Sequence, residues 1–133
     1  MGVLKRLLLD TNAYTRLLLG EERVLDAVGA AERVYLSVFV MGELLAGFRG
    51  GHKLEQNRRL LDSFLAKPTV VFLGATEETA DLFGQVKNDL RQAGTPIPIN
   101  DLWIAAHALE TGSVLLTYDE HFDFITGLRL WNR

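Results

Sequence analysis

A chain of 133 residues, 48% hydrophobic and 23% charged, has the length of one globular domain and too much apolar content for disorder. It holds no cysteine, which excludes disulfides, thiolate metal sites and cysteine nucleophiles. Its 14 Lys plus Arg against 17 Asp plus Glu give a formal charge of −3, which on its face argues against a nucleic-acid partner.

Residues 3–9 (VLKRLLL) end in three leucines and stop at Asp10, the pattern of a buried strand. Two helical stretches follow, 12–19 and 21–31, with Gly20 as the break. Residues 33–37 (RVYLS) read as a strand whose Ser37 caps a helix over 38–48. That helix is expected to be largely buried, because Leu44, Leu45 and Phe48 surround Glu43. The Gly50-Gly51 pair punctuates the chain before a helix over 52–67, closed by Pro68. Residues 69–73 (TVVFL) form a third strand, and Thr76 N-caps a helix with Glu77 and Glu78 in its first turn. That helix runs to Gly94. Beyond Pro98, Asn100 or Asp101 is expected to cap a helix to Glu110, ended by Gly112. Residues 113–116 (SVLL) and 128–131 supply two more strands.

Strands separated by helices indicate parallel βαβ units, hence one open α/β sheet with helices on both faces and a single domain over 1–133. The leucine run before Asp10 is shorter than a signal h-region, and no stretch reaches the length of a membrane span. The expected compartment is the cytoplasm.

Asp10 and Asp119 sit just beyond predicted strand ends, and in a parallel sheet both project from the carboxyl edge, where such folds bind ligands. Glu43 and Asp101 lie in early turns of helices that start at that same edge. Each acid also has a plainer reading: Asp10 and Asp101 as helix caps, Glu43 as a solvated helix residue, Asp119 as the cap of a turn over 120–122. Their coincidence at one edge is what favours function. Four carboxylates together repel, and a hard divalent cation relieves them; all-oxygen ligation suits Mg²⁺ or Mn²⁺. Such an ion acidifies water and neutralises charge on a phosphoryl group.

The words LLLDTN at 7–12, SVFVMGELLAG at 37–47, PIPINDLWIAAHAL at 96–109 and LLTYDEHF at 115–122 together resemble the PIN domain, and more narrowly the VapC-type ribonuclease toxins. The likeness runs from the first strand almost to the C-terminus. It implies a three-layer α/β/α domain with a central five-stranded parallel sheet. It also implies a Mg²⁺- or Mn²⁺-dependent endoribonuclease whose acids are Asp10, Glu43, Asp101 and Asp119. Asn12 and Thr117 match the polar residues that accompany those acids, with the task of orienting carboxylates or water. Further implications are a homodimer, a VapB-like antitoxin, and DNA contact only through that antitoxin. Hydrolysis would leave a 5′-phosphate and a 3′-hydroxyl and needs no histidine pair. His52, His107 and His121 have no mutual ligand spacing; His107 reads as packing, and His121 as local structure or as a contact to Asp119 or RNA.

RNA needs cations even when the catalytic centre is acidic. Arg49, Lys53, Arg58 and Arg59 form the expected rim, just beyond the helix of Glu43. Gly42 and Gly47 flank Glu43 and invite either close approach by another segment or helix-to-sheet packing. Trp103 and Trp131 read as core or interface residues. A haloacid-dehalogenase-like phosphatase would need a second Asp where this chain has Asn12, and a receiver domain would need paired early acids. A PIN nuclease of RNA maturation and an inactive binding module remain as alternatives. Without the four acids, 17 Asp plus Glu become 13 against 14 bases, so the net charge conceals a near-neutral body around an acidic centre.

Overall fold

The computed structural model describes residues 5–131. Five strands make one sheet: β1 (Arg6–Leu9), β2 (Arg33–Ser37), β3 (Val70–Leu73), β4 (Val114–Leu116) and β5 (Arg129–Leu130). Their spatial order is β3-β2-β1-β4-β5, and every pairing is parallel. Helices α1 (Thr11–Leu18), α2 (Glu22–Ala30), α3 (Val38–Gly50), α4 (Leu54–Leu65), α5 (Glu77–Ala93) and α6 (Ile99–Thr111) flank it in a three-layer α/β/α arrangement. Residues 3 and 4 of the expected first strand lie outside the described residues.

The three leucines of β1 explain its central place. Leu7, Leu8 and Leu9 are all fully buried, as are Leu115 and Leu116 beside them, because both faces of the strand are covered by helices. The chain steps from β1 outward to β2 and β3, then returns to place β4 on the other side of β1. The strand order therefore reverses between β1 and β4, and their carboxyl ends open the crevice that such sheets use for ligands.

Local chemistry starts and stops the helices largely as the sequence indicates. Asp10 caps α1 by accepting from the Ala13 amide at 2.8 Å, and Ser37 caps α3 through the Phe39 amide at 3.1 Å. Thr76 and Thr79 form a reciprocal capping box on α5. Gly94 and Gly112 end α5 and α6 in the left-handed conformation, at φ 74° and 65°, where a glycine carries no penalty.

Two expectations fail. Neither Asn100 nor Asp101 caps α6, which begins at Ile99 directly after Pro98. Pro98, with φ at −54°, supplies the carbonyl that receives the Asp101 and Leu102 amides, so both polar residues fall inside the first turn. Nor is α3 largely buried. Val40 and Leu44 are its buried stripe, while Phe39, Met41, Leu45 and Phe48 pack only partly and Glu43 is exposed. A helix that packs by one stripe leaves the intervening positions to solvent.

At the amino edge, Arg6 donates to the Thr111 carbonyl at 2.8 Å and Arg129 donates to the Gly112 carbonyl. Both guanidiniums thus sit on the unsatisfied carbonyl end of α6, which has no basic residue in its own last turn.

Candidate metal centre

The register that pairs Leu9 with Leu116 sets Asp10 beside Thr117 across the β1/β4 crevice. Asp10 is buried at 5% exposure, and its two oxygens are both engaged. One receives the Ala13 amide; the other receives the Thr117 hydroxyl at 2.5 Å. That hydroxyl in turn accepts from the Asp119 amide at 2.9 Å, so one threonine ties both strand ends together. Asp10 is therefore a helix cap and a member of the acid cluster at once.

Asp101 enters from the first turn of α6, Asp119 from the loop after β4, and Glu43 from the second turn of α3. Electrostatics link them. Burial pushes the Asp10 carboxyl above its ordinary range, bonds from Thr117 and Ala13 oppose this, and Asp101 and Asp119 push it further up. Burial also raises Asp101; His121 opposes it, while Asp119 and Glu43 add to the rise. The four acids read from the sequence thus share one field.

The supporting residues divide. Thr117 does orient a carboxylate. Asn12, by contrast, is exposed in the first turn of α1 and makes no side-chain hydrogen bond among the described residues; Thr11 beside it donates to Glu43 instead. A one-residue step along a helix turns a side chain by about 100°, so adjacent candidates are not interchangeable. Asn100 neither caps nor bonds: its amide nitrogen is buried without a partner.

His121 does touch Asp119, and it reaches Asp101 as well. Its Nδ1 lies 3.1 Å from Asp101 Oδ2 and 3.0 Å from Asp119 Oδ1, while its own amide caps onto Asp119 at 2.9 Å. Asp101, Asp119 and His121 offer one donor atom each within 4.8 Å of one another. Asp119 does cap the 3₁₀ turn Glu120–Phe124, and that capping is what folds the histidine back over the acids. Tyr118, between Thr117 and Asp119, anchors the same loop: its hydroxyl donates to Glu21 at 2.7 Å and Arg16 lies 3.7 Å above its ring.

His107 lies outside this cluster. Fully buried, it accepts from the Ser37 hydroxyl at Nδ1 (2.7 Å) and donates from Nε2 to the Gly74 carbonyl (3.0 Å). Because the Gly74 carbonyl can only accept, Nε2 carries the proton, and the Ser37 hydroxyl, which also accepts from the Phe39 amide, donates to Nδ1. Burial lowers the His107 pKa. Its hydrogen bonds join α6 to β2 and to the loop after β3, a role beyond plain packing.

Arg49, Arg58 and Arg59 surround a groove of about 360 Å³ between α3 and α4, floored by Leu45 and Leu54. Lys53 stands at the start of α4, outside that lining, and Arg58 is paired with Asp62 at 3.1 Å. A side chain at Gly42 or Gly47 would meet nothing within 4 Å, so neither glycine serves close packing inside this chain. Trp103 is stacked between Phe39 and Phe83, with ring centroids 4.9 and 3.9 Å away, and Trp131 packs on Tyr118 with Arg23 above it.

A parallel sheet with an acid cluster over its switch point makes this an α/β protein with an acidic carboxyl edge. Residues 7–128 match the PIN domain family, and the chain belongs to it. Among its relatives, Ribonuclease VapC1 of Haemophilus influenzae strain R2866 is 30% identical over 127 residues, covering 92% of this chain and 93% of that protein. Ribonuclease VapC2 of Rickettsia felis is 31% identical over 109 residues, 81% of this chain and 80% of its own. The structure is similar to the VapBC2 complex of Rickettsia felis bound to a DNA fragment from its promoter, with a TM-score of 0.85 at 26% identity over 96% of this chain and 98% of that one. It is also similar to VapBC-1 of nontypeable Haemophilus influenzae, with a TM-score of 0.83 at 30% identity over 96% and 97%.

Proposed function

We propose that this chain is a divalent-metal-dependent endoribonuclease, the toxin of a type II toxin–antitoxin pair. The observation that carries the reading is the acid cluster at the switch point. Asp101 and Asp119 act on Asp10, and Asp119, Glu43 and His121 act on Asp101. Carboxylates held against burial and mutual repulsion fit a hard cation, Mg²⁺ or Mn²⁺, as their counter-charge. Asp10, Glu43, Asp101 and Asp119 would hold it. When bound, the ion supplies neutralising charge for a phosphodiester and lowers the pKa of water.

The chain's own residues do the rest. Thr117 fixes the Asp10 carboxylate and the Asp119 backbone, and Thr11 steadies Glu43. A water held against these carboxylates passes its proton to one of them as it attacks phosphorus in line; the bond from phosphorus to the 3′-oxygen breaks and that oxygen takes a proton from solvent, leaving a 5′-phosphate and a 3′-hydroxyl. Arg49, Arg59, Lys53 and Arg58 receive flanking phosphates. Arg49 lies six residues beyond Glu43 on α3, about 9 Å along the helix axis. The named ribonuclease relatives support an RNA substrate, and the VapBC complexes support a VapB-like antitoxin. On this reading the chain is a homodimer and meets DNA only through the antitoxin.

Cleavage of RNA by the purified chain, its loss in EDTA and its return with Mg²⁺ or Mn²⁺ are the expected results. Undiminished cleavage in EDTA, or by Asp10→Asn, overturns the mechanism. Expression without an antitoxin is expected to arrest growth; unimpeded growth with active enzyme would make this a nuclease but no toxin.

A further inference from the structure

The acid cluster contains a nitrogen. His121 Nδ1 stands 3.0 Å from Asp119 Oδ1 and 3.1 Å from Asp101 Oδ2, and nearly half of its side chain is exposed. Its position is built rather than incidental. Asp119 caps the 3₁₀ turn by accepting the His121 amide, and that same cap returns the ring over the carboxylate.

Adjacent ligands of an octahedral ion with bonds of about 2.1 Å lie about 3.0 Å apart. Nδ1 is hydrogen-bonded to Asp101 in this arrangement, and its separations from both oxygens equal those a shared ion imposes on neighbouring donors, so the ion would replace the Nδ1 proton without moving the ring. With Nδ1 as the ligand atom, the remaining proton sits on Nε2. The other histidine near a strand end, His107, has both nitrogens occupied by Ser37 and Gly74 and is unable to serve.

We propose that His121 Nδ1 is a ligand of the ion held by Asp101 and Asp119, so that the centre is a mixed nitrogen–oxygen site selecting Mn²⁺ over Mg²⁺. This rests on the metal-dependent reading above and changes its chemistry. Mg²⁺ takes oxygen and keeps its water, whereas imidazole favours the transition ions, and a site of two carboxylates and one imidazole shifts selectivity toward them.

The test is pulsed electron paramagnetic resonance of the metal-stripped full chain loaded with Mn²⁺, together with titrations of Mn²⁺ and Mg²⁺. The wild type is expected to show coupling from one ¹⁴N nucleus. His121→Ala should lose that coupling and bind Mn²⁺ about 10-fold more weakly, with Mg²⁺ affinity changed less. His121→Asp, which exchanges nitrogen for oxygen, should keep ion binding, lose the coupling and move the preference toward Mg²⁺. Because the residue is at the surface, circular dichroism should show both variants folded. Mn²⁺ bound without nitrogen coupling, or coupling that survives in His121→Ala, overturns the proposal and leaves an all-oxygen nuclease centre standing. Binding of neither ion would defeat both readings.

Discussion

At the amino edge of the sheet β1, β2 and β5 each begin with arginine, and at the carboxyl edge the acids collect. The two edges handle charge differently. On the amino side, Arg6 and Arg129 are placed on the carbonyl end of α6, so each cation meets the negative pole of a helix. The carboxyl side has Asp10 buried next to other acids, with its carboxyl pushed up by burial and by Asp101 and Asp119. Arg6 and Arg129 have their counter-charge inside the chain, whereas Asp10 is set against other acids. Under the proposed function, the contrast separates charge that serves stability from charge that awaits an ion.

The sharpest way to break this contrast is to remove charge from the carboxyl edge. Asp10→Asn keeps a good helix cap, because the amide oxygen still accepts from Ala13. With burial disfavouring the ionised form, the neutral variant should melt at or above the wild-type temperature near neutral pH. Its cleavage should fall by more than the roughly 100-fold typical of lost supporting groups, and Asp101→Asn should behave alike. A melting temperature that falls sharply in the metal-free protein would place Asp10 among the stabilising residues instead.

Thr117→Val tests the support beneath those acids. It removes the donor to Asp10 and the acceptor of the Asp119 amide at a site 1% exposed. Activity should drop about 10- to 100-fold, with a stability cost of about 1–3 kcal/mol for the stranded partners. Full activity would mean the acids hold their places unaided. A milder effect belongs to the α3/α4 groove: Arg49→Ala with Arg59→Ala should flatten the salt dependence of RNA binding by about 0.7 in slope for each phosphate no longer neutralised. An unchanged slope would remove this groove from the RNA path.

The acids were legible because each is tied to a local signal: LLL before Asp10, Ser37 before the helix of Glu43, Pro98 before the helix of Asp101, and LLT before Asp119. Strand ends and helix starts share one edge in a parallel sheet, so local reading sufficed to group them. What escaped depends on direction and on distant partners. Choosing Thr11 over Asn12 as the partner of Glu43 requires the rotation of α1 relative to α3, 32 residues away. The cap of α6 fell to Pro98 because the fixed φ of proline starts the turn one residue before Asn100. The contact of His121 with Asp119 was open to a local reading, but its reach to Asp101, 20 residues away, depends on how the Asp119 cap bends the chain toward α6.

His107 sharpens the comparison from the interior. Burial holds its pKa below the ordinary 6.5, so the folded chain keeps it neutral. Above that value neither folded nor unfolded chain carries the proton, and stability is unaffected. As pH falls through 6.5 the unfolded chain takes up a proton the folded chain refuses, and stability is lost until the folded-state pKa is passed. Denaturation of the wild type should therefore show a decline over this range that is smaller in His107→Gln, which bonds without titrating. Equal pH profiles would mean the histidine is charged or solvated in the fold.

The smallest expected effect lies at the amino edge, and it is the most direct check that charge there is internal. Arg6 reaches a carbonyl 105 residues away in sequence, and Arg129 takes the next carbonyl along. Helices α2, α4 and α6 all lack a basic residue in the last turn, so cations borrowed from strand starts are the available complement for α6. Arg6→Ala or Arg129→Ala should each cost about 0.5–1 kcal/mol, the value of a cation at an exposed helix end. The double variant should lose more than twice that, because each single loss is partly offset by repulsion relieved at the neighbouring guanidinium and the second removal has none left to relieve. Metal affinity and cleavage should stay at wild-type values, since these residues stand at the opposite end of the strands from the acids. A loss of cleavage with stability intact would carry function to the amino edge and dissolve the division between the two.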